Sequence, residues 1–261
     1  IAYPADFICE AIDQTRGWFY TLHAIGILMG RGKAYKNVIC LGHLMDAAGK
    51  KMSKSLGNVV DPWVMMEKYG ADTLRLWMYS VNQPGESKNF DEKTIALLHQ
   101  QVFGLLYNVL AFYELYRDDP TLHPPLIKGR VGEKSSNILD QWILARLNEL
   151  IKLSTDNLDN YKPLEPVRGI RDFISDLSTW YLRRSRERIK YSSAQGFGGT
   201  KDRNNAKATL YFVLKTLAKI MAPFTPFATE DIWIKLRTDK DVESVHLESW
   251  PKAGKINKTV I

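Results

Sequence analysis

The spacing of apolar residues changes partway along the chain, and this change limits the possible folds more than any other feature. Up to about residue 90, short β-type runs such as Phe7-Ile8-Cys9 and Val38-Ile39-Cys40-Leu41 alternate with helical stretches, among them an amphipathic one over residues 63–79. Such alternation predicts an α/β unit. The helix ahead of the second strand is expected over residues 15–29, ending near Gly30 and Gly32. Further on, Asp61 is placed to cap a helix that has Pro62 in its first turn. From Asp91 onward the strand signal fades and 3.6-residue spacing takes over. Leu97, Leu98, Val102, Leu105, Leu106, Val109 and Leu110 mark a first helix, and Ile138, Trp142, Ile143, Leu147, Leu150 and Ile151 a second. A third is expected over 163–191, a fourth over 204–221, and a fifth with Thr225 as N-cap and Pro226 at its first position. A Pro-containing loop at 118–134 and a Gly-rich loop at 195–200 separate them. The expected fold is therefore α/β followed by all-α, with residues 1–90 as the α/β unit and 91–261 as an antiparallel helical bundle.

Composition narrows the class. The 261 residues are 45% hydrophobic and 25% charged, the balance of a globular protein able to bury a core. Charged or amide residues interrupt every apolar run short of the roughly 18–20 residues a membrane span needs, so no membrane is expected. Cys9 and Cys40 lie far apart with no Cys-x-x-Cys pattern, and the histidines form no ligand cluster, so the expectation is reduced thiols, a cytoplasmic setting and no metal site. The start, Ile1-Ala2-Tyr3-Pro4, carries neither Met nor a signal pattern and reads as a cut inside a larger protein. Thirty-six Lys and Arg against twenty-nine Asp and Glu give a net charge of +7, which suits a polyanionic partner but is shared by many proteins that have none.

The sharpest local signal is Lys51-Met52-Ser53-Lys54-Ser55, followed by Leu56-Gly57-Asn58, between a predicted strand and helix. Two ammonium groups with small hydroxyl residues and a glycine can follow charge as it moves onto a leaving group, which is what gripping a triphosphate requires. For a lone Lys-x-x-Lys, an exposed basic turn is the better reading. The complete pentapeptide, coming after Gly42-His43-Leu44-Met45-Asp46, resembles the second signature motif of class I aminoacyl-tRNA synthetases. Upstream, the segment from Pro4-Ala5-Asp6-Phe7-Ile8-Cys9-Glu10 through Asp13-Gln14-Thr15-Arg16-Gly17-Trp18-Phe19-Tyr20 resembles the active-site strand and helix of isoleucyl-tRNA synthetases. Downstream, Asp140-Gln141-Trp142-Ile143-Leu144-Ala145-Arg146 and Trp180-Tyr181-Leu182-Arg183-Arg184-Ser185-Arg186 resemble helices of that family's anticodon-binding bundle.

The resemblance implies an isoleucine-tRNA ligase that uses ATP with Mg²⁺, isoleucine and tRNA-Ile, working as a monomer. Lys54 and Lys51, with Ser53, would serve the leaving phosphates, and Met52, Ser53 and His43 would lie near the nucleotide. Glu10, Asp13 and Gln14 would contact the adenylate; on residue chemistry alone capping the following helix is the preferred role for Asp13, and the two roles can coexist. Trp18 would line the isoleucine pocket, though core packing is the plainer role for a tryptophan on a helix. Ala11 departs from the glycine the family usually carries there. Arg183, Arg184, Arg186 and Arg188 would meet tRNA phosphates, or else form a solvated basic face. Trp180 and Tyr181 could stack on bases, but core packing is the preferred expectation for both. No His-x-Gly-His, the family's other signature, occurs in the sequence, nor does an editing domain. The expectation is thus the second half of a class I catalytic fold joined to the bundle. Two other readings stay open: an RNA-binding module without ligase activity, and a valyl or leucyl relative.

Overall fold

The computed structural model describes residues 3–117, 137–190 and 199–261. The loop expected at 118–134 and most of that at 195–200 lie outside the described residues, as does the 191 end of the third predicted helix. Strands β1 (Ala5–Ala11) and β2 (Tyr35–Leu41) pair in parallel, Ala5 opposite Tyr35 and Ala11 opposite Leu41. A parallel pair needs a long crossover. Here it is a 3-10 turn, Ile12–Arg16, followed by α1 (Trp18–Leu28). Gly30 and Gly32, at φ of 69° and 74°, then turn the chain back in a conformation only glycine adopts without strain.

A second parallel pair, β3 (Leu44–Met45) with β4 (Lys88–Asn89), brackets α2 (Pro62–Tyr69) and α3 (Ala71–Ser80). The single amphipathic stretch expected over 63–79 is two helices, because Gly70 at φ 83° breaks it. The break lets Met65 of α2 and Leu74, Leu76 and Trp77 of α3 all face inward. Asp61 caps as expected, accepting from the Trp63 amide at 2.8 Å, with Pro62 at the first helical position.

Next come α4 (Glu92–His99), a π-helical turn (Gln100–Gly104) and α5 (Leu105–Tyr116), which form one 25-residue helical run. By length and composition this run could cross a membrane, contrary to the expectation that none would. Ile95, Leu98, Val102, Leu106, Val109 and Leu110 are buried in the protein core, however, so it packs as a core helix. The bundle continues with α6 (Ile138–Leu158), α7 (Leu164–Ser175), a second π-helical segment (Asp176–Leu182), α8 (Arg183–Lys190), α9 (Gly199–Met221) and α10 (Pro226–Leu236). One hydrophobic cluster runs from Met65 on α2 through α10 to Val245. Ile8 on β1, Phe19 on α1 and Ala34 just before β2 are buried outside it.

The start of α10 corrects one expectation. Thr225 holds the N-cap position, yet its hydroxyl donates backward to the Met221 carbonyl at 3.3 Å and accepts nothing from the helix. The amide of Ala228 is taken instead by Asp72, 156 residues away on α3, at 2.6 Å. Arg75, one turn further along α3, donates to the carbonyls of Phe224 and Pro223, both at 3.1 Å. Burial pushes the Asp72 carboxyl above the usual range, opposed by the helix amides and by Arg75.

Candidate active site and basic helix

Because β1 and β2 run in parallel, their carboxyl ends lie at the same edge of the sheet, the edge where open α/β sheets hold ligands. Glu10 sits opposite Cys40 at that edge, Ala11 opposite Leu41, and β2 leads directly through Gly42 and His43 into the lysine loop. Glu10, Asp13, Trp18 and His43 are exposed, and Gln14 half-buried. Asp13 does not cap α1. Its carboxylate accepts from the Gln14 side-chain amide at 3.1 Å, and the Gln14 oxygen in turn accepts from the Trp18 amide at 2.8 Å. Gln14 is therefore the cap. Gly17 makes room for it, since a Cβ there would lie 2.7 Å from the Gln14 oxygen. The core-packing role considered for Trp18 is not what the structure has: 45% of its surface is exposed. Cys9 and Cys40 are free thiols, and burial, with Glu10 and Cys40 nearby, pushes the Cys9 thiol up.

The lysine loop is a built structure. An isolated antiparallel bridge joins Met45 to Lys51, and Gly49 at φ 76° makes the turn between them. Asp46 accepts from the amides of Ala48 at 3.0 Å and Lys50 at 2.8 Å through one oxygen. Its other oxygen accepts from the side chain of Asn58 at 2.8 Å. Asn58 accepts from the Ser53 amide at 2.9 Å and donates to the Lys51 carbonyl at 3.3 Å. The hydrogen bond from Asn58 and those from the backbone hold the Asp46 carboxyl below the usual carboxylate range. Met52 packs against the core cluster, and the hydroxyls of Ser53 and Ser55 lie 2.6 Å apart, hydrogen-bonded to each other. A 3-10 turn, Lys54–Leu56, closes on Gly57 at φ 64°. The ammonium groups of Lys51 and Lys54 are exposed and make no ion pair among the described residues. Sequence reasoning named the lysines and passed over Asp46 and Asn58 as functional positions. The Asp-Ala-Ala-Gly turn signature was the signal that could have found Asp46.

On the bundle, the four arginines separate. Arg183, Arg184 and Arg186 are exposed, and the guanidinium of Arg184 lies 3.9 Å above the Trp180 ring, which is itself 46% exposed. Trp180 is thus a surface residue, contrary to its expected place in the core, while Tyr181 is fully buried as expected. Arg188 must be removed from the RNA-facing set. It is 7% exposed and pairs with buried Asp140 and, at 3.3 Å, with Asp202. Tyr181 donates to the same Asp140 oxygen at 2.8 Å, and burial beside that carboxylate pushes its hydroxyl well up. The spacing Tyr181, Ser185, Arg188 is a buried helical stripe, a pattern the sequence contained.

Comparison with known proteins gives this geometry a family. Residues 1–91 match the family model of class I tRNA synthetases (I, L, M and V), and residues 140–260 match that of the anticodon-binding domain of tRNA ligases. The chain belongs to the class I tRNA synthetases. Among its relatives is the isoleucine–tRNA ligase of Dehalococcoides mccartyi (strain ATCC BAA-2266 / KCTC 15142 / 195), 43% identical over 96% of this chain and 24% of that protein. Those of Deinococcus radiodurans (43% identical, 95% and 22%) and Thermus thermophilus (41%, 97% and 24%) are similar in the same way. The chain thus spans about a quarter of the length of these curated relatives. Two solved structures share the fold. A leucyl-tRNA synthetase of Agrobacterium radiobacter K84, in ternary complex with tRNA and LeuAMS, superposes at TM-score 0.67 with 19% identity, over 98% of this chain and 29% of that one. Methionyl-tRNA synthetase of Mycobacterium tuberculosis, in complex with methionyl-adenylate, superposes at 0.68 with 20% identity, over 93% and 46%.

Proposed function

We propose that this chain supplies the lysine loop, the adenylate-side strand and helix, and the tRNA-docking bundle of an isoleucine–tRNA ligase. Residues near 91 divide the catalytic part from the bundle. In the first step an isoleucine carboxylate oxygen bonds to the α-phosphorus of ATP, the bond from that phosphorus to the bridging oxygen breaks, and pyrophosphate leaves. In the second, a ribose hydroxyl at the 3′ end of tRNA-Ile attacks the aminoacyl carbonyl and AMP leaves. The protein's work is positioning and charge stabilisation. Lys54 meets the departing phosphates, with Lys51 and the main chain of Met52 and Ser53 supporting it. Glu10, Asp13 and Gln14 hold the adenylate, His43 lies beside the nucleotide, and Trp18 lines the isoleucine slot. Arg183, Arg184 and Arg186 meet tRNA phosphates. Mg²⁺ enters with the ATP phosphates, the manner usual for an ion that keeps much of its water. The described residues offer it no group of three acidic, His or Cys ligands. The whole protein works as a monomer in the cytoplasm.

One observation carries the reading. Two ammonium groups with no ion-pair partner among the described residues are presented on an ordered loop that leaves the ligand-binding edge of a parallel strand pair. The family and the isoleucine–tRNA ligase relatives agree with it. Isoleucine-dependent exchange of pyrophosphate into ATP tests it in the whole protein. Exchange is expected, and Lys54→Ala should reduce it by on the order of 10²–10³-fold. This chain alone, which has no His-x-Gly-His, is expected to give none. No exchange in the whole protein, or full exchange with Lys54→Ala, would contradict the proposal.

A further inference from the structure

The lysine loop has a fixed part and a free part. Both flanks of the pentapeptide are tied at one point, where Asp46 before it meets Asn58 after it at 2.8 Å. From that point Asn58 reaches into the pentapeptide twice, taking the Ser53 amide and giving to the Lys51 carbonyl, so the main chain on both sides of Met52 is held. The Lys54–Leu56 turn beyond is exposed and closes on a left-handed glycine. Asp46 is acceptor only when ionised, whereas Asn58 is both donor and acceptor, so the two cannot trade roles singly.

We propose, on the basis of the ligase reading above, that Asp46 and Asn58 are the positioning pair of the loop. They set the base on which the Lys54 turn swings to the phosphates, without touching substrate themselves. Asp46→Asn cannot accept from the Ala48 and Lys50 amides and from Asn58 together. Asn58→Asp sets two carboxylates face to face and removes the donor to Lys51. Each should leave Lys54 present and misplaced, a condition that reduces rate by up to on the order of 10²-fold. Exchanging both residues restores a cross-flank hydrogen bond with donor and acceptor reversed and keeps an acceptor for the Ser53 amide, while the donor to the Lys51 carbonyl stays lost.

The test is made in the whole protein, with isoleucine-dependent pyrophosphate exchange and amide hydrogen exchange at Lys50 and Ser53 measured side by side. Each single variant is expected to lower kcat by roughly ten- to a hundredfold with the KM for isoleucine unchanged, and to speed exchange of both amides. The D46N/N58D double variant is expected to recover the protection of both amides and part of the lost rate. Wild-type kcat in both single variants, or a double variant no faster than the slower single, would overturn the positioning role. A wild-type protein with no pyrophosphate exchange would overturn the ligase reading instead, and amide protection would still decide whether the pair holds the loop.

Discussion

Gly42 shows how closely the approach to the lysine loop is packed. A Cβ added there would lie 2.4 Å from both the carbonyl carbon and oxygen of Glu86, and the Gly42 amide donates to the Pro84 carbonyl at 2.9 Å. The obstruction is backbone, which cannot swing aside, so Gly42→Ala should cost about 1–3 kcal/mol and loosen the β3–β4 pair, read as faster amide exchange at Lys88. Arg188 and Arg183 make a contrasting pair on one helix. Removing the Arg188 side chain takes one charged partner from buried Asp140, which keeps its hydrogen bond from Tyr181, so Arg188→Ala should lower the protection of α6 and α9 amides by about 1.5–3 kcal/mol. Exposed Arg183→Ala should change it by under about 0.5 kcal/mol. Asp46 carries the pH dependence. Its folded pKa lies below the ordinary value, so its share of loop order is complete above about pH 4. That share is lost as pH falls through the lowered value. Protection of the Lys50 amide against pH should show this loss, and a flat profile would remove Asp46 from the account.

At the scale of elements, the joint between α3 and α10 is where sequence reading and structure part most clearly. Thr-Pro before a helix is a sound N-cap signal, and it located the start of α10 correctly. It could not reveal that Asp72 would arrive from 156 residues away, because a cap supplied in space leaves no trace in local spacing. Asp72→Ala should therefore expose the Ala228 amide and weaken the first turn of α10 by about 0.5–2 kcal/mol, whereas Thr225→Ala should leave that amide protected. The split at Gly70 was missed for a related reason, since apolar spacing on both sides continues in phase and only the φ of one glycine records the turn. The strands β1 and β2, the Asp61-Pro62 start of α2 and the order of the bundle helices were all legible, because each rests on local period or capping chemistry. In the site, the lysines and the strand-end acids were legible as residue types. What Gln14, Asn58 and Asp140 do was not, since each acts through a partner that folding brings to it.

For the molecule as a whole, the continuous core from α2 to α10 joins the loop-bearing part to the bundle, so the exposed arginines of α8 and the lysine loop belong to one packed body. If those arginines meet RNA phosphates, converting Arg183 and Arg184 to Glu should weaken binding of isoleucine-accepting tRNA. The slope of log affinity against log salt should also flatten, by about 0.9 for each phosphate no longer neutralised. Unchanged affinity and slope would return the strip to a solvated face. The central claim is that the strand ends, the indole of Trp18 and the lysine loop surround one ligand, and a crystal structure of the whole protein with a nonhydrolysable isoleucyl-adenylate analogue tests it most directly. The aliphatic side chain is expected against Trp18, the nucleotide at the carboxyl ends of β1 and β2 within reach of Glu10 and Gln14, and the Lys54 turn facing the side of the α-phosphate from which pyrophosphate leaves. An analogue bound away from those strand ends, with the lysine loop untouched, would contradict it.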